Sequence, residues 1–162
     1  VLAQQVMMGM VNRAGDIEHP KYSMDQWTGY AYERMELIKF MQDRRISNPV
    51  VLTGDIHTNW ANELRVDDRR QEEAPVATEF VTTSLSSGGD GVDKPKDLDR
   101  LLSANPCVKF HNAQRGYVLC DVTPDGWRSD YRVVDQVTKP GGKTYSRAKF
   151  VVESGNPRIN EA

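Results

Sequence analysis

The chain has 162 residues, which is enough for one ordinary domain with a hydrophobic core. Hydrophobic residues make up 38% of the chain and charged residues 27%, which is typical of globular domains and excludes a disordered or membrane-embedded chain. The net charge of −2 gives no general electrostatic reason to expect binding to nucleic acid. No apolar run approaches the ~20 residues of a membrane span, and the N-terminus shows no signal-peptide pattern.

The first part of the chain predicts a helix followed by a buried strand. An apolar segment (1–12) and a polar loop (12–24) precede a predicted helix at 28–45. The residues at helical spacing in it are Tyr30, Arg34, Leu37, Ile38 and Met41. Asn48-Pro49 ends the helix, because the residue before a proline disfavours the α conformation. The apolar, β-branched run Val50–Thr53 predicts an interior strand, and a helix leading into such a strand indicates an α/β fold.

The rest of the chain predicts mainly strands. In chain order, the expected elements are a short strand or helix at 61–66, a strand at 76–85, a turn at 86–91, a short helix at 97–104, and strands at 116–122, 127–134 and 144–152. Thr123-Pro124-Asp125-Gly126 is a strong turn signal, so the strands that flank it are expected to form a β-hairpin. The prediction is one α/β unit that leads into antiparallel strands.

The candidate chemistry follows the buried strand, in Gly54-Asp55-Ile56-His57. Ligands of open α/β sheets bind at the carboxyl ends of strands. In an extended chain, Asp55 and His57 would point to the same side. A carboxylate and an imidazole together suit iron, zinc or manganese, and the carboxylate also suits calcium. The alternative is a turn with a hydrogen-bonded Asp and a surface His, since two ligands alone do not make a metal site.

The same motif, with Trp60, resembles the last metal-binding motif of PhoD-like phosphatases. These belong to the calcineurin-like metallophosphoesterases, whose corresponding motif is usually Gly-His-x-His, so the Asp is the PhoD-like departure. Other stretches also resemble this family, in matching order: Gln4-Gln5-Val6-Met7; Asp25-x-Trp27-x-Gly29-Tyr30 with Arg34; and Asn112-x-Gln114-Arg115-Gly116-Tyr117 with Trp127, Tyr131 and Arg132. The resemblance runs to about Gly155.

The resemblance implies a fold, an activity and a location. Residues 1–162 would form the C-terminal part of a single catalytic domain, an αββα sandwich with a C-terminal antiparallel hairpin region. The upstream half would carry the first metal ligands, so this chain alone would be inactive. The family hydrolyses phosphate mono- and diesters with a metal-activated hydroxide, using Fe(3+) and Ca(2+). His57 would bind the iron and Asp55 a neighbouring ion. Family members are exported, which implies a periplasmic or secreted protein.

Other polar residues have weaker indications. Asp25 is a further candidate metal ligand, with a helix N-terminal carboxylate as the alternative. His111 and Arg115 are expected to be structural. Cys107 and Cys120 lie in no metal-binding pattern, and the sequence leaves open whether they pair.

Two other functions compete with phosphoester hydrolysis. The chain is alternatively a non-catalytic half-domain retained for binding or assembly, which the absence of upstream ligands favours. A nuclease of the same superfamily is a third hypothesis, but it calls for a basic groove that the charge balance does not suggest.

Overall fold

The computed structural model describes residues 1–162, which form two β-sheets and two α-helices. The helices are α1 (Ala31–Asp43), preceded by a 3₁₀ turn at Trp27–Tyr30, and α2 (Leu98–Ala104). The strands are β1 (Leu2–Ala3), β2 (Val50–Thr53), β3 (Asn59–Leu64), β4 (Ala77–Val81), β5 (Val108–Asn112), β6 (Gly116–Thr123), β7 (Gly126–Val134), β8 (Thr144–Glu153) and β9 (Asn160–Glu161). Neither helix has the length and apolar character needed to span a bilayer.

The first sheet contains the strand that leads into the candidate site. Its strand order is β1-β2-β4-β3-β5, and β2 is parallel to both of its neighbours. Val50 and Val51 are both buried, so the predicted interior strand is confirmed. The second sheet has the order β6-β7-β8-β9 and is antiparallel throughout. It includes the predicted β-hairpin, in which Thr123 pairs with Gly126 across the turn.

The two faces of the first sheet are covered differently. One face packs against the second sheet, through a core of Val50, Ala61, Phe80, Trp127, Tyr131, Phe150 and Val152. The other face packs against α1, through Met8, Ile38, Met41, Val51, Leu64 and Ala77. Leu101 and Leu102 of α2 pack on the same face, beside Trp60 and Val81. The chain thus forms a helix–sheet–sheet arrangement, which confirms the α/β class and its antiparallel C-terminal region.

Some predicted boundaries differ from the structure. The α-helix begins at Ala31, after the 3₁₀ turn, rather than at residue 28. β4 ends at Val81 rather than at residue 85, because its neighbour β2 ends at Thr53 and the amide of Thr82 makes the last bond to it. The uncertain element at 61–66 is the strand β3. β5 was not predicted.

Exposed apolar surface lies beside β1. This strand pairs only with β2, so its outer edge is open. Next to that edge lies an open pocket whose lining includes Ala3, Val6, Trp27 and Tyr30. The side chain of Tyr30 is largely exposed, although it lies at helical spacing with the buried positions of α1.

Candidate metal-binding site

The candidate ligands lie in a short loop, residues 54–58, that joins β2 to β3 at the carboxyl end of β2. Asp55 has a φ of 68° and His57 a φ of 54°, so both backbones are left-handed. The expectation of an extended chain here was wrong, and the spacing argument for a shared direction does not apply. Asp and His are among the few residues other than glycine that adopt this conformation readily. Such conformations persist where the surrounding structure fixes them, often at functional sites.

Neither candidate ligand is used by the fold as a structural residue. Both side chains are exposed, and His57 makes no hydrogen bond within the chain. The carboxylate of Asp55 accepts no backbone amide, so the turn-stabilising role that the sequence left open is not observed. The one hydrogen bond of Asp55 comes from the side-chain amide of Gln26, with Nε2 3.4 Å from Oδ2. The donor atoms of Asp55 and His57 are therefore available to a ligand.

The backbone around the loop is held from several directions. The amide of Gly54 donates to the carbonyl of Gln5 at 3.2 Å. At the other end, the indole N–H of Trp60 donates to the hydroxyl of Thr58 at 2.7 Å. These bonds fix the loop against the apolar opening segment and the start of β3, so its left-handed conformation is built into the fold.

A buried carboxylate contacts the end of the strand that precedes the loop. Glu79, in the middle of β4, is fully buried and accepts four hydrogen bonds. Its donors are the amides of Met8 and Gly9, the amide group of Asn62 and the hydroxyl of Thr53, at 2.6–2.9 Å. Burial raises the pKa of Glu79, and the four donors oppose that rise. Because Thr53 is the last residue of β2, Glu79 fixes the strand end from which the loop departs.

Neither Glu79 nor Gln26 was predicted from the sequence as a residue of the site. The signal for Glu79 was present, since Ala77 and Val81 are apolar and lie on the same face of the strand as Glu79. An acid in such a row is either exposed at an edge or buried with hydrogen-bond donors. Gln26 gave no signal, because its importance depends on contacts with Met7 and Asp55, which are distant in sequence.

Asp25 precedes the 3₁₀ turn and is exposed. Its side chain caps no backbone amide, since that turn begins without a side-chain cap bond. The alternative of an N-terminal capping residue is therefore not observed. Asp25 is the neighbour of Gln26, whose amide contacts Asp55, and its role as a ligand stays a prediction.

The other polar candidates have structural partners. The ring of His111 stacks on Trp60 with 3.6 Å between centroids, and its Nδ1 lies 3.1 Å from the carbonyl of Asn59. The guanidinium of Arg115 donates to carbonyl and hydroxyl oxygens of residues 84–87 and to Ala113. Both cysteines are free thiols. These side chains belong to the fold rather than to the candidate site.

The donors present suit a metal ion but do not complete a site. An anionic oxygen from Asp55 and an imidazole nitrogen from His57 match the preferences of calcium and of ferric iron. The chain brings no group of three or more His, Cys, Asp and Glu side chains together around a metal position.

The chain is similar to known phosphatases along nearly its whole length. A family described as PhoD-like phosphatase matches residues 1–131. Alkaline phosphatase D of Bacillus subtilis (strain 168) is 46% identical over 153 residues, which are 94% of this chain and 26% of that protein. A solved structure, described as the structure of PhoD, matches with a TM-score of 0.94 and 43% identity, over 99% of this chain and 31% of that one. The chain therefore spans less than a third of either relative.

Proposed function

The chain belongs to the PhoD-like phosphatase family, and we propose that it supplies part of the active site of an enzyme that hydrolyses phosphate mono- and diesters. The loop at 54–58 carries this proposal. It presents a carboxylate and an imidazole at the end of an interior strand, both exposed and both in left-handed conformations. The family relationship supports phosphate esters as the substrate class.

We propose iron(III) and calcium as the ions of the site. His57 is assigned to the iron, Asp55 to a neighbouring ion, and Asp25 is a further candidate ligand. Ions of this kind bind phosphate oxygens and lower the pKa of a water molecule, which supplies the nucleophile for hydrolysis. The role of this chain is to hold the ligand atoms of Asp55 and His57 in place at the end of β2.

The remaining ligands are proposed to come from an upstream half, as the partial coverage of both relatives suggests. The open edge of β1 and the apolar pocket beside it are a suitable surface for that half. On this hypothesis the chain alone is inactive. A periplasmic or secreted location is proposed from the family relationship alone.

The test is to change each ligand in the intact protein. We expect His57→Ala and Asp55→Asn to lose bound metal and to lower the turnover of a generic phosphodiester by on the order of 100-fold or more, because a site that lacks one ligand commonly loses its ion. The melting temperature of the metal-stripped protein should barely change, since neither side chain supports the fold.

A matched control is His19→Ala, which removes another exposed histidine, one that contacts only Asp16. This variant should keep its metal and its turnover. If His57→Ala also kept both, the assignment of the loop as a metal site would be wrong. A lower melting temperature with normal turnover would instead indicate a structural histidine.

A non-catalytic role in binding or assembly is the second candidate. One observation favours it, namely that the chain holds no cluster of three metal-ligating side chains. The intact protein distinguishes the two functions. Phosphoesterase activity that depends on Asp55 and His57 would reject the binding role, whereas stable assembly without metal or turnover would support it.

A further inference from the structure

The side chain of Gln26 connects the buried opening segment to the proposed metal loop. It is almost completely buried, with 4% of its surface exposed. Its Oε1 accepts a hydrogen bond from the amide of Met7 at 2.6 Å, and its Nε2 lies 3.4 Å from Oδ2 of Asp55. No other hydrogen bond reaches the carboxylate of Asp55. On the basis of the proposed function, we propose that Gln26 is a positioning residue, which orients Asp55 for metal binding.

The chemistry of the two partners fixes which way the amide points. A backbone N–H can only donate, so the atom of Gln26 that faces Met7 must be the oxygen. The NH₂ group then points away from Met7 and towards Asp55, where an ionised carboxylate can only accept. The peptide of Met7 is itself anchored, since its carbonyl accepts the amide of Trp27 at 3.1 Å. The donor that faces Asp55 is therefore set by buried backbone.

The position of Asp55 explains why such a donor matters. An exposed aspartate in a bend populates several rotamers, and ordering it as a ligand costs conformational entropy. A hydrogen bond to Oδ2 limits that freedom and leaves Oδ1 for an ion. Hydrogen bonds to metal ligands commonly contribute 10- to 100-fold to metal affinity. At 3.4 Å the contact is longer than the usual range of about 2.7–3.2 Å for an N–H···O hydrogen bond.

The residues next to Gln26 and Asp55 are also connected by hydrogen bonds. The side chain of Gln4 accepts the indole N–H of Trp27 at 3.0 Å and donates to the hydroxyl of Thr53 at 2.7 Å. Thr53 in turn donates to Glu79 at 2.8 Å. Trp27 and Thr53, which lie next to Gln26 and two residues before Asp55, are thus joined through one chain of hydrogen bonds. The backbone segments that carry the two partners are therefore held together.

The variant Gln26→Glu separates positioning from structural support. Glutamate has nearly the same shape and still offers an oxygen to the amide of Met7, so the fold contact is kept. It replaces the donor that faces Asp55 with an oxygen and sets two carboxylates against each other. In the intact protein, stripped of metal and titrated with Ca²⁺, we expect calcium affinity to fall about 10- to 100-fold. High calcium should restore part of the turnover. The buried carboxylate has no cation beside it and lowers the melting temperature, so calcium affinity is measured on the folded protein, well below that temperature.

The control is Gln42→Glu, which makes the same substitution on the surface of α1. Gln42 is exposed, and its side chain makes no hydrogen bond, whereas its backbone carbonyl accepts the amide of Arg45. We expect calcium affinity to change less than about threefold, because exposed charges are screened. Equal losses in both variants would mean a general electrostatic effect and would overturn the proposal. Unchanged or higher calcium affinity in Gln26→Glu would overturn it too.

Two further variants complete the test. If Gln26→Glu does not fold, Gln26→Met offers a side chain of similar length without donor or acceptor, and its calcium affinity is measured below its melting temperature. A fall in affinity supports the proposal, and an unchanged affinity overturns it. Asp55→Asn identifies which hypothesis has failed. If it keeps metal and turnover, the proposed function is wrong; if it loses both while Gln26→Glu is normal, only the role of Gln26 is wrong.

Discussion

Burial decides the charge of His111. Its ring is 9% exposed, stacked on Trp60, and its Nδ1–H donates to the carbonyl of Asn59. Burial lowers the pKa of His111 from 6.5 to about 4, and Arg13 adds to the fall, while the hydrogen bond to Asn59 opposes it. The histidine is therefore neutral in the folded chain at neutral pH.

This shift predicts a pH-dependent loss of stability. Since the folded pKa lies below the unfolded value, the contribution of His111 is complete above pH 6.5 and is lost as the pH falls through about 4. Between pH 7 and pH 5 we expect it to account for about 2 kcal/mol of the fall in unfolding free energy. The variant His111→Asn places an amide N–H near the position of Nδ1, and its side chain does not titrate. Between pH 7 and pH 5 its unfolding free energy, measured by urea titration, should therefore fall by about 2 kcal/mol less than that of the unchanged protein. His19→Asn should leave the fall unchanged, and an equal fall in all three proteins would contradict the assignment.

The sequence showed which residues form the candidate loop but not how they are arranged. Asp55 and His57 follow a run of β-branched residues, and that pattern alone places them at the end of a strand. Their left-handed backbones lie in a loop whose start is bonded to Gln5, a residue far from them in sequence. Gln26 could not be predicted either, because none of its neighbours in the sequence indicates that it contacts Asp55.

The helix α1 carries a buried charge on the face that packs on the sheet. Arg34 is fully buried and donates to Asp68 at 2.5 Å, to the carbonyl of Met8 at 2.6 Å, and to the carbonyls of Arg65 and Val66. Asp68 also accepts the amides of Met10 and Arg65. These bonds attach the helix to two irregular segments, one around Met8 and one at 65–68 after β3. The ion pair thus satisfies backbone groups that no strand or helix pairs.

Neutralising the buried Arg34 should therefore lower stability, whereas neutralising the exposed Lys39 on the same helix should not. Arg34→Met leaves the carboxylate of Asp68 buried without its cation, and we expect the unfolding free energy to fall by about 3–5 kcal/mol. The matched control is Lys39→Met on the same helix, whose exposed pair with Asp43 should contribute nothing measurable. Chemical denaturation of both variants measures the difference. Equal stability would show that the buried pair does not stabilise the fold.

The elements that were predicted correctly have strong local patterns. Arg34, Ile38 and Met41 lie at helical spacing, and the structure buries all three. β5 was missed because Val108–Asn112 is short, contains Lys109 and His111, and is held as a strand by its pairing with β3. The length of β4 likewise depends on where its partner strand ends. Strand boundaries of this kind are set by neighbours rather than by the segment itself.

The stacking of the two sheets determines how the candidate loop is supported. Tyr131 in β7 is fully buried, and its ring packs 4.9 Å from Phe110 and 5.9 Å from Phe150. Its hydroxyl donates to the carbonyl of Trp60, across the interface between the sheets. A β-bulge follows directly, between Tyr131 and Arg132. Since Trp60 is the second residue of β3, the strand that the loop enters, one buried hydroxyl joins the second sheet to the first next to the site.

Tyr131→Phe tests this connection between the sheets. The substitution keeps the aromatic packing and removes only the hydroxyl, so the carbonyl of Trp60 loses a buried donor. We expect the unfolding free energy to fall by about 1–2 kcal/mol. Tyr117→Phe removes an exposed hydroxyl from the same sheet and should leave stability unchanged. Urea unfolding of both variants compares them directly. If the two behave alike, the hydroxyl of Tyr131 adds nothing to the contact between the sheets, and the aromatic core alone holds them together.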